Sequence, residues 1–453
     1  MRTQTFSILG IGKRGKSGYE SAKALRVMGK EVFLSESRMR TDCEADAQEM
    51  EAWGVQLEFG EHSERLFQQE VLIVCPGILP TTLVIQEALR RGMPVWSEIE
   101  LAFRLAKAPL IAITGTNGKT TTTALTVDVL RQGTKPVFVG GNIGIPLVRV
   151  ALEAPADAWI VAEIGVPQLE FISSFRPHVA VLLNFSEDHL DRYASMAEYR
   201  NTKSRMVENQ QSNDWIVRNR LDEWSMQTTS AARVFTLFAW GNEDGVWMEG
   251  GQIRARFDGK ISEIVSFNEL PLPGQANLEN ALAAMACGIL AGLQPAQIRS
   301  GLAAFHGVEH RLEYAGRIHG IPYYNDSSGT NPLSTIRSLA VFSQPVVLIL
   351  GGSEKNANFH ALVQVARKRE ATLVLFGAIR ERIARECRQE NFTSFRIVEG
   401  DLAEVLDSVA CMAQPGSVVL FSPACASFDM FQDYEHRGEV FKHLVREREA
   451  GAR

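Results

Sequence analysis

The chain has little of what would place it in a membrane, outside the cell or on a nucleic acid. Its 453 residues include only six cysteines, none in a Cys-x-x-Cys pair. No apolar run approaches the ~20 residues that span a bilayer, and a glycine-rich turn reached by Gly10 leaves no room for a secretory leader. A formal net charge of −6 argues against nucleic acid or an anionic membrane as main partner. We therefore expect a cytoplasmic protein with reduced thiols.

An alternation of strands and helices starts afresh three times along the chain, which predicts an α/β fold with parallel sheets and helices on both faces. A chain of 453 residues also exceeds what one core normally holds. We expect a Rossmann-like domain over 1–98, a central P-loop ATPase-type α/β domain over 99–307 and a Rossmann-like C-terminal domain over 308–453. The pattern is poor between 209 and 273, where only short strands such as Val234–Leu237 are predicted.

The most informative segment is a glycine loop that follows the apolar strand Leu110–Ile113. Glycines in such a loop let backbone N–H groups surround phosphate oxygens, a lysine adds positive charge, and a threonine hydroxyl can meet Mg²⁺. Ile113 stands where the general pattern has its first glycine, so the loop is a variant. The predicted ATP-phosphate residues are Gly115, Thr116, Asn117, Gly118, Lys119, Thr120 and Thr121.

A second glycine loop, Gly10–Gly15, lies between a predicted strand and a predicted helix, as in dinucleotide-binding folds. The loop alone leaves NAD, FAD and another nucleotide diphosphate open, although Lys13 and Arg14 favour a highly charged diphosphate. The second strand ends at Ser35–Arg38, where such folds recognise a ribose or base.

Polar side chains follow further strands of the central block, at the edge where open α/β sheets bind ligands. Glu163 ends one strand and could be a second magnesium ligand beside Thr120, or a solvated acid. His189 follows another strand and could bind metal or phosphate through a ring nitrogen, although a lone histidine is more often structural. Lys203 is by default an exposed helix lysine, and Asn280 lies at a helix start where it could contact adenine.

The last block offers candidates of a different kind. Arg311 follows His310, and Asp326 could hold a ribose through its carboxylate. Two strand-to-turn segments follow, one carrying Lys355 and the other placing Ser427 near a predicted helix N-terminus. A lysine and a helix N-terminus together would suit a dicarboxylate, and simple packing of either turn is an equal alternative.

Taken in order, the motifs resemble those of the Mur ligases over nearly the whole chain. The Cys75-Pro76-Gly77 turn and the Trp96–Glu100 segment match that family as well. The other matching segments are Thr114–Thr121, Gly141–Gly144, Asn184–Asp191, Tyr199–Lys203, His310-Arg311, Asn325–Asn331 and Ser422–Asp429.

The resemblance implies an ATP-dependent amide ligase that adds D-glutamate to UDP-N-acetylmuramoyl-L-alanine through an acyl phosphate, with two Mg²⁺ ions. It assigns catalysis to Lys119, His189, Lys203 and Arg311, and the metal ions to Thr120, Glu163, His189 and a carbamylated Lys203. It assigns ATP, beyond the phosphate loop, to Asn280, Arg311 and Asp326. It assigns the substrates to Gly12, Lys13, Arg14, Ser37, Arg38, Gly77, Asn142, His189, Thr330, Lys355, Ser427 and Tyr434.

Several positions depart from the family pattern, chiefly on the side of the incoming amino acid. Ser328 replaces a lysine, Asn358 an aspartate and Ala276 a histidine, and Gly165–Pro167 replaces Ser-Ser-Phe. A paralogue with another acceptor therefore stays open. A folylpolyglutamate-synthase-like ligase is a further alternative, but it would lack the UDP-binding domain. A degenerate homologue that binds nucleotides without turnover is opposed by the intact charged residues. A monomer is expected.

Overall fold

The computed structural model describes residues 4–12, 16–187, 192–270, 275–305, 307–353 and 357–451. The described residues form a mixed α/β structure with three sheets, which confirms the predicted α/β class. They divide into two compact units, Met1–Phe305 and His306–Arg453. The break lies close to the boundary predicted at 307/308, whereas the boundary predicted at 98/99 lies inside the first unit.

All pairings in the first sheet are parallel, as the alternation of strands and helices predicts. Its strands are β1 (Thr5–Leu9), β2 (Glu31–Glu36), β3 (Gln56–Phe59), β4 (Val71–Val74) and β5 (Val95–Ser97), in the spatial order β3-β2-β1-β4-β5. The accompanying helices are α1 (Ser17–Val27), α2 (Glu44–Ala52), α3 (Leu83–Arg90) and α4 (Glu98–Leu105).

The second sheet belongs to the same unit and has nine strands. They are β6 (Leu110–Thr114), β7 (Val137–Gly141), β8 (Trp159–Glu163), β9 (Val179–Leu182), β10 (Trp215–Asn219), β11 (Arg233–Leu237), β12 (Gly245–Glu249), β13 (Gln252–Phe257) and β14 (Lys260–Ser266). The order is β14-β13-β12-β11-β10-β9-β6-β8-β7. The helices are α5 (Lys119–Leu130), α6 (Leu147–Glu153), α7 (Met196–Ser204), α8 (Glu223–Gln227), α9 (Gln275–Leu290) and α10 (Pro295–Ala303).

The weakly patterned segment between 209 and 273 extends this second sheet. Strands β10 and β11 continue the parallel part, and β12, β13 and β14 then pair antiparallel. The outer strand is touched by α10, from which the Nε of Arg299 donates to the carbonyl of Ile264 at 2.9 Å. Strands β13 and β14 were not predicted. Polar and apolar side chains alternate at the start of β13, which is typical of antiparallel strands, but the alternation is short and does not continue regularly through β14.

The third sheet lies in the second unit and combines parallel strands with one antiparallel edge pair. Its strands are β15 (Glu313–Ile318), β16 (Ile321–Asn325), β17 (Val346–Gly351), β18 (Thr372–Phe376), β19 (Phe395–Ile397) and β20 (Val418–Phe421), ordered β15-β16-β20-β17-β18-β19. Its helices are α11 (Pro332–Ala340), α12 (His360–Lys368), α13 (Arg380–Gln389), α14 (Leu402–Met412) and α15 (Tyr434–Gly451).

The central strands of each sheet are buried on both faces. Every residue of β4, β6 and β17 is buried, as expected for parallel strands with helices on both sides. Continuous apolar runs were therefore sufficient to predict them. Among the described residues, no helix is both long and apolar enough to cross a bilayer.

Two buried glutamates of α4 fasten it to the region of the second sheet. The Oε1 atom of Glu98 accepts the N–H of Val148, at the start of α6, at 2.6 Å. The carboxylate of Glu100 accepts N–H groups of residues 173–175 at 2.8 to 3.0 Å and the Nε of Arg104 at 2.7 Å. Glu100 thus has a cationic partner, whereas Glu98 accepts backbone N–H groups at the start of α6.

We predict that Glu98 makes stability fall as pH rises. Burial raises the pKa of Glu98 to about 7, although the backbone N–H groups at the start of α6 oppose the shift. Because the folded pKa lies above the unfolded value of about 4.3, the folded state binds this proton more tightly. The free energy of unfolding should therefore decrease by about 3 kcal/mol as pH rises through that interval.

The test is urea unfolding of Glu98→Gln and the wild type, followed by tryptophan fluorescence at pH 5 and pH 8. The difference in the free energy of unfolding between Glu98→Gln and the wild type should shift in favour of the variant by about 2 kcal/mol from pH 5 to pH 8. Glu153→Gln, at an exposed position of α6, is the control. A gap for Glu98→Gln that is equal at both pH values would contradict the prediction.

Candidate active site

The predicted phosphate loop connects β6 to α5 and is held in shape by Asn184, which follows β9. The N–H of Thr116 donates to the carbonyl of Asn184 at 2.8 Å, and the N–H of Asn117 donates to its Oδ1 at 2.9 Å. The Nδ2 of Asn184 donates to Glu279 Oε1 at 2.7 Å. One amide side chain therefore ties the loop to α9.

Two glycines of the loop are required by close approach. Gly118 has a φ of +82°, and a Cβ there would lie 2.3 Å from the Oδ1 of Asn280. A Cβ on Gly115 would lie 2.9 Å from that of Leu183. The Oδ1 of Asn280 also accepts the hydroxyl of Thr122 at 3.1 Å. Asn280, predicted to contact adenine, thus lies directly against the loop.

Lys119 is the first residue of α5 and lies over its own loop. Its Nζ donates to the carbonyls of Gly115 at 2.9 Å and Thr116 at 3.0 Å. The positive charge is therefore concentrated on the loop, where the N-terminus of α5 adds its own partial positive charge. Thr121 follows in the same turn, and the arrangement suits an anion such as a phosphate group.

Thr120 and Glu163 meet as the strand pattern predicted. The hydroxyl of Thr120 donates to Glu163 Oε2 at 2.8 Å, and Asn142 Nδ2 donates to Glu163 Oε1 at 3.0 Å. Glu163 is 3% exposed, so the alternative of a solvated strand-end acid is wrong. A hydroxyl and a carboxylate oxygen are ligands that Mg²⁺ accepts, and the pair fits such an ion.

Lys203 is almost completely buried, at 1% exposure, so its default prediction as an exposed helix lysine is wrong. Its Nζ lies 5.2 Å from the ring centroid of Tyr199 and 5.8 Å from that of Trp224. The ring of Phe185 packs against both of these rings, at 4.9 and 5.7 Å. These three aromatic residues form what we call the Lys203 enclosure. The sequence of α7 has only a weak amphipathic pattern, so the burial of Lys203 could not be predicted from it.

The glycine loop of the first sheet is anchored by Glu36, at the end of β2. The N–H of Ile11 donates to Glu36 Oε2 at 2.9 Å, and Arg38 Nη2 donates to the same oxygen at 2.9 Å. Burial alone would raise the pKa of Glu36, but these donors lower it to about 2. Gly12 has a φ of +91°, consistent with a turn that needs glycine.

The predicted UDP residues lie around this anchor. Ser37 is exposed beside Glu36, and its hydroxyl donates to Glu36 Oε1 at 3.4 Å. The thiol of Cys75 donates to the carbonyl of Gly10 at 3.1 Å, which brings the exposed Gly77 turn to the loop. The first sheet therefore gathers most of its predicted substrate residues at one edge.

In the second unit, Asp326 is the centre of a buried hydrogen-bond network. Its Oδ2 accepts the hydroxyls of Ser338 and Ser422, both at 2.6 Å, and its Oδ1 accepts the N–H of Leu312 at 3.3 Å. Burial raises the pKa of the Asp326 carboxyl, while the hydroxyls and the charge of Arg311 oppose that shift. Arg311 and Asp326, which the resemblance assigns to the phosphate and the ribose of ATP, are thus near enough to interact electrostatically.

Arg437 is a residue that the sequence did not single out. Its guanidinium is fully buried and donates to Ser327 Oγ and the Ser327 carbonyl at 2.9 and 2.8 Å. It also donates to the carbonyls of Cys425 and Ala426 at 3.1 and 3.2 Å. Burial lowers its pKa to about 10. Nothing in the sequence distinguishes it from the exposed Arg446 of the same helix.

Ser427 does not lie at a helix N-terminus, which corrects the prediction made for it. Helix α15 begins at Tyr434, and the intervening residues form turns in which the carbonyl of Ser427 accepts the N–H of Phe431 at 2.9 Å. The proximity of Ser427 to a predicted helix was misleading because a turn precedes that helix, and Ser427 and Asp429 are residue types that favour turns. The carbonyl of Tyr434 accepts the hydroxyl of Ser327 at 2.8 Å.

Thr330 lies in the turn after Asp326, and its N–H donates to the carbonyl of Ser328 at 2.9 Å. The N–H of Ser328 donates to the carbonyl of His310 at 3.0 Å. The acceptor side predicted for this unit is therefore connected to Arg311 through the backbone. Four predicted site residues, Lys13, Arg14, His189 and Lys355, lie outside the described residues.

A phosphate-binding loop beside a hydroxyl–carboxylate pair is the arrangement of ATP-dependent phosphoryl-transfer enzymes. Comparison with known proteins narrows this class. Residues 113–288 match the Mur ligase middle domain, and residues 310–425 match the glutamate ligase domain of Mur ligases. The chain belongs to the Mur ligase family.

Two curated relatives carry the name UDP-N-acetylmuramoylalanine–D-glutamate ligase. The protein from Koribacter versatilis is 39% identical over 442 residues, covering 95% of each chain. That from Pelotomaculum thermopropionicum is 37% identical over 442 residues, covering 97% of each. The crystal structure of MurF ligase from Thermotoga maritima, in complex with ADP, has a TM-score of 0.56 at 15% identity, over 93% of this chain and 95% of that one. This last likeness concerns the fold.

We predict that Gly118→Ala weakens ATP binding by roughly a hundredfold, because the new methyl group would displace Asn280 and distort the loop. The measurement is titration with a fluorescent ATP analogue. Gly92→Ala is the matched control, because Gly92 also has a positive φ, of +71°, but has no atom within 4 Å of its Cβ position. Equal ATP affinities of the two variants would contradict the steric argument.

Proposed function

We propose that this chain is an ATP-dependent ligase that joins D-glutamate to UDP-N-acetylmuramoyl-L-alanine in cytoplasmic peptidoglycan precursor synthesis. The observation that carries the proposal is that the carboxylate of Glu163, beside the phosphate loop, accepts hydrogen bonds from both Thr120 and Asn142. It joins the predicted ATP and sugar-substrate residues in one place. The names of the full-length relatives support the same reaction. The protein would act as a monomer.

Each of the three sheets would serve one substrate. We assign UDP binding to a Rossmann-like domain, 1–98, and ATP binding to a P-loop domain, 99–307. A Rossmann-like domain, 308–453, would bind the incoming amino acid. The glycine loop anchored by Glu36 supports the first assignment, and the loop held by Asn184 supports the second.

Thr120 and Glu163 would hold Mg²⁺ together with His189, and a carbamylated Lys203 would serve a second ion. Bound there, magnesium would neutralise the charge of the phosphate groups. A carbamate on Lys203 would supply the oxygen ligand that Mg²⁺ prefers, whereas an unmodified ammonium group cannot. Its enclosure would keep the modified side chain away from water.

The reaction would proceed in two steps. A carboxylate oxygen of the alanyl group attacks the γ-phosphorus of ATP, and ADP leaves, which produces an acyl phosphate. The amine of D-glutamate then attacks the acyl carbon, and phosphate leaves with formation of the amide. Lys119 would stabilise the charge on the outer phosphates, and Asn142 would orient the sugar substrate.

The second unit would supply the remaining groups. Arg311 would contact the transferred phosphate and Asp326 the ribose, a role supported by their proximity. Thr330, Lys355, Ser427 and Tyr434 would bind D-glutamate. Arg437 would fix the turns that carry Ser327 and Ser427, because it donates to backbone carbonyls on both of these turns.

We predict that phosphate release requires both UDP-N-acetylmuramoyl-L-alanine and D-glutamate, and that Lys119→Ala slows it by about 10²–10⁴-fold. The loss follows from removing one preorganised charge at a developing anion. Lys107→Ala, at an exposed position after α4, is the control and should keep the wild-type rate. A near-wild-type rate of phosphate release by Lys119→Ala would contradict the ligase proposal. Release triggered by another amino acid would favour the paralogue.

We predict that Ser328→Lys lowers the KM for D-glutamate, because the family lysine absent here would restore a cation for a dicarboxylate. A charged hydrogen bond is worth about 1–3 kcal/mol, which corresponds to roughly 5- to 150-fold in binding. The variant and the wild type are compared with D-glutamate as the varied substrate. An unchanged or raised KM with a lower kcat would mean that the acceptor site is built for another amino acid.

A further inference from the structure

The buried carboxylate of Glu170, which has no role in the proposed reaction, accepts hydrogen bonds from two consecutive residues. Glu170 follows the turn Val166–Leu169 after β8. The Nε and Nη2 of Arg192 donate to its two oxygens at 2.8 and 2.6 Å, and the hydroxyl of Tyr193 donates to Oε1 at 2.7 Å. The side chains of Arg192 and Glu170 are 10% and 7% exposed. Such a paired fork is well defined in geometry and shielded from water.

Arg192 extends this contact to the first sheet. Its Nη2 also donates to the carbonyl of Ile78 at 2.8 Å. Ile78 directly follows the Cys75–Gly77 turn, and its Cδ1 lies 3.3 Å from the position of a Cβ on Gly10. The guanidinium therefore braces the turn and the glycine loop that the proposed UDP-sugar site uses.

Tyr193 extends the contact in the other direction. Its ring centroid lies 5.5 Å from that of Tyr199. The ring of Tyr199 in turn lies 5.2 Å from the Nζ of Lys203. The carboxylate of Glu170 is thus connected to the Lys203 enclosure through the ring of Tyr193, which packs against Tyr199 of that enclosure.

We propose that Glu170 is a positioning residue of the ligase reaction, which couples the Cys75–Ile78 turn, through Arg192, to the Lys203 enclosure, through Tyr193. The inference rests on the proposed function. It assigns to Glu170 neither substrate contact nor a proton to move. Its carboxylate sets the relative position of the surface that would hold the diphosphate and the lysine that would serve the metal.

The carboxylate can be altered without loss of the turn that carries it. Arg205 donates to the carbonyls of Leu169, Glu170 and Ile172 at 2.9, 2.6 and 2.7 Å. The backbone of this turn is therefore held independently of the Glu170 side chain. Glu170→Gln leaves a side chain of the same size but removes the charge and one acceptor, so the fork to Arg192 is lost.

The experiment compares Glu170→Gln, Arg192→Lys and Tyr193→Phe with the wild type. Arg192→Lys should raise the KM for UDP-N-acetylmuramoyl-L-alanine about tenfold with little change in kcat, since it releases only the turn. Tyr193→Phe should lower kcat about tenfold, with partial recovery in added bicarbonate, since it loosens only the enclosure. Glu170→Gln should show both effects. Calorimetric titration of each variant with the UDP-sugar alone checks the first effect without turnover.

Glu100→Gln is the matched control, because Glu100 is also buried and paired with an arginine in the same unit but contacts no predicted site residue. It should lower the melting temperature while both KM values stay at the wild-type level. Wild-type kcat and UDP-sugar affinity in Glu170→Gln would overturn the proposal, as would losses no larger than its loss of folded protein. Absence of ligation by the wild type would instead refute the proposed function, and calorimetry would then decide the coupling of the turn.

Discussion

The contact between Glu163 and Thr120 is the interaction on which the candidate site depends. Strands β6, β8 and β7 are neighbours in the second sheet, so their carboxyl ends meet at one edge. The phosphate loop follows β6, Glu163 ends β8, and Asn142 follows β7. A shift of register in any of these pairings would separate the oxygens from the loop. The pairing of these three strands therefore fixes where the reactive groups lie, and β6 and β8 are buried along their whole length.

This geometry explains which parts of the candidate site could be predicted from the sequence. The phosphate loop and its partner Glu163 could be predicted, because a local glycine motif and the meeting of parallel strand ends are both visible in the sequence. The burial of Lys203 could not, since it depends on Trp224 in a segment without clear periodicity. The buried contacts of Arg437 and Glu170 were not predicted, for a similar reason. Their partners lie far along the chain, at Ser327 and Arg192, and no spacing rule connects such pairs.

Buried charge is distributed unevenly over the described residues. Glu36, Glu170 and Arg437 each sit beside a turn that follows a strand, and each has several donors or acceptors that offset its loss of water. Glu98 is the contrast, since backbone N–H groups oppose its desolvation only in part and its pKa stays high. The well-partnered charges fix the geometry of loops that carry predicted site residues. A charge such as Glu98 instead makes the packing between α4 and α6 sensitive to protonation.

The antiparallel strands at the end of the second sheet have a consequence for solubility. A nine-stranded sheet that ended on a flat, open strand would offer a row of unpaired backbone groups to other chains. Here α10 contacts β14, and the Nε of Arg299 donates a hydrogen bond to the carbonyl of Ile264. Lys260 and Glu263 are exposed on β14, and charged side chains on an edge strand disfavour strand addition. The outermost strand of the nine-stranded sheet is thus partly covered by α10 and carries charge, and both features disfavour its pairing with another chain.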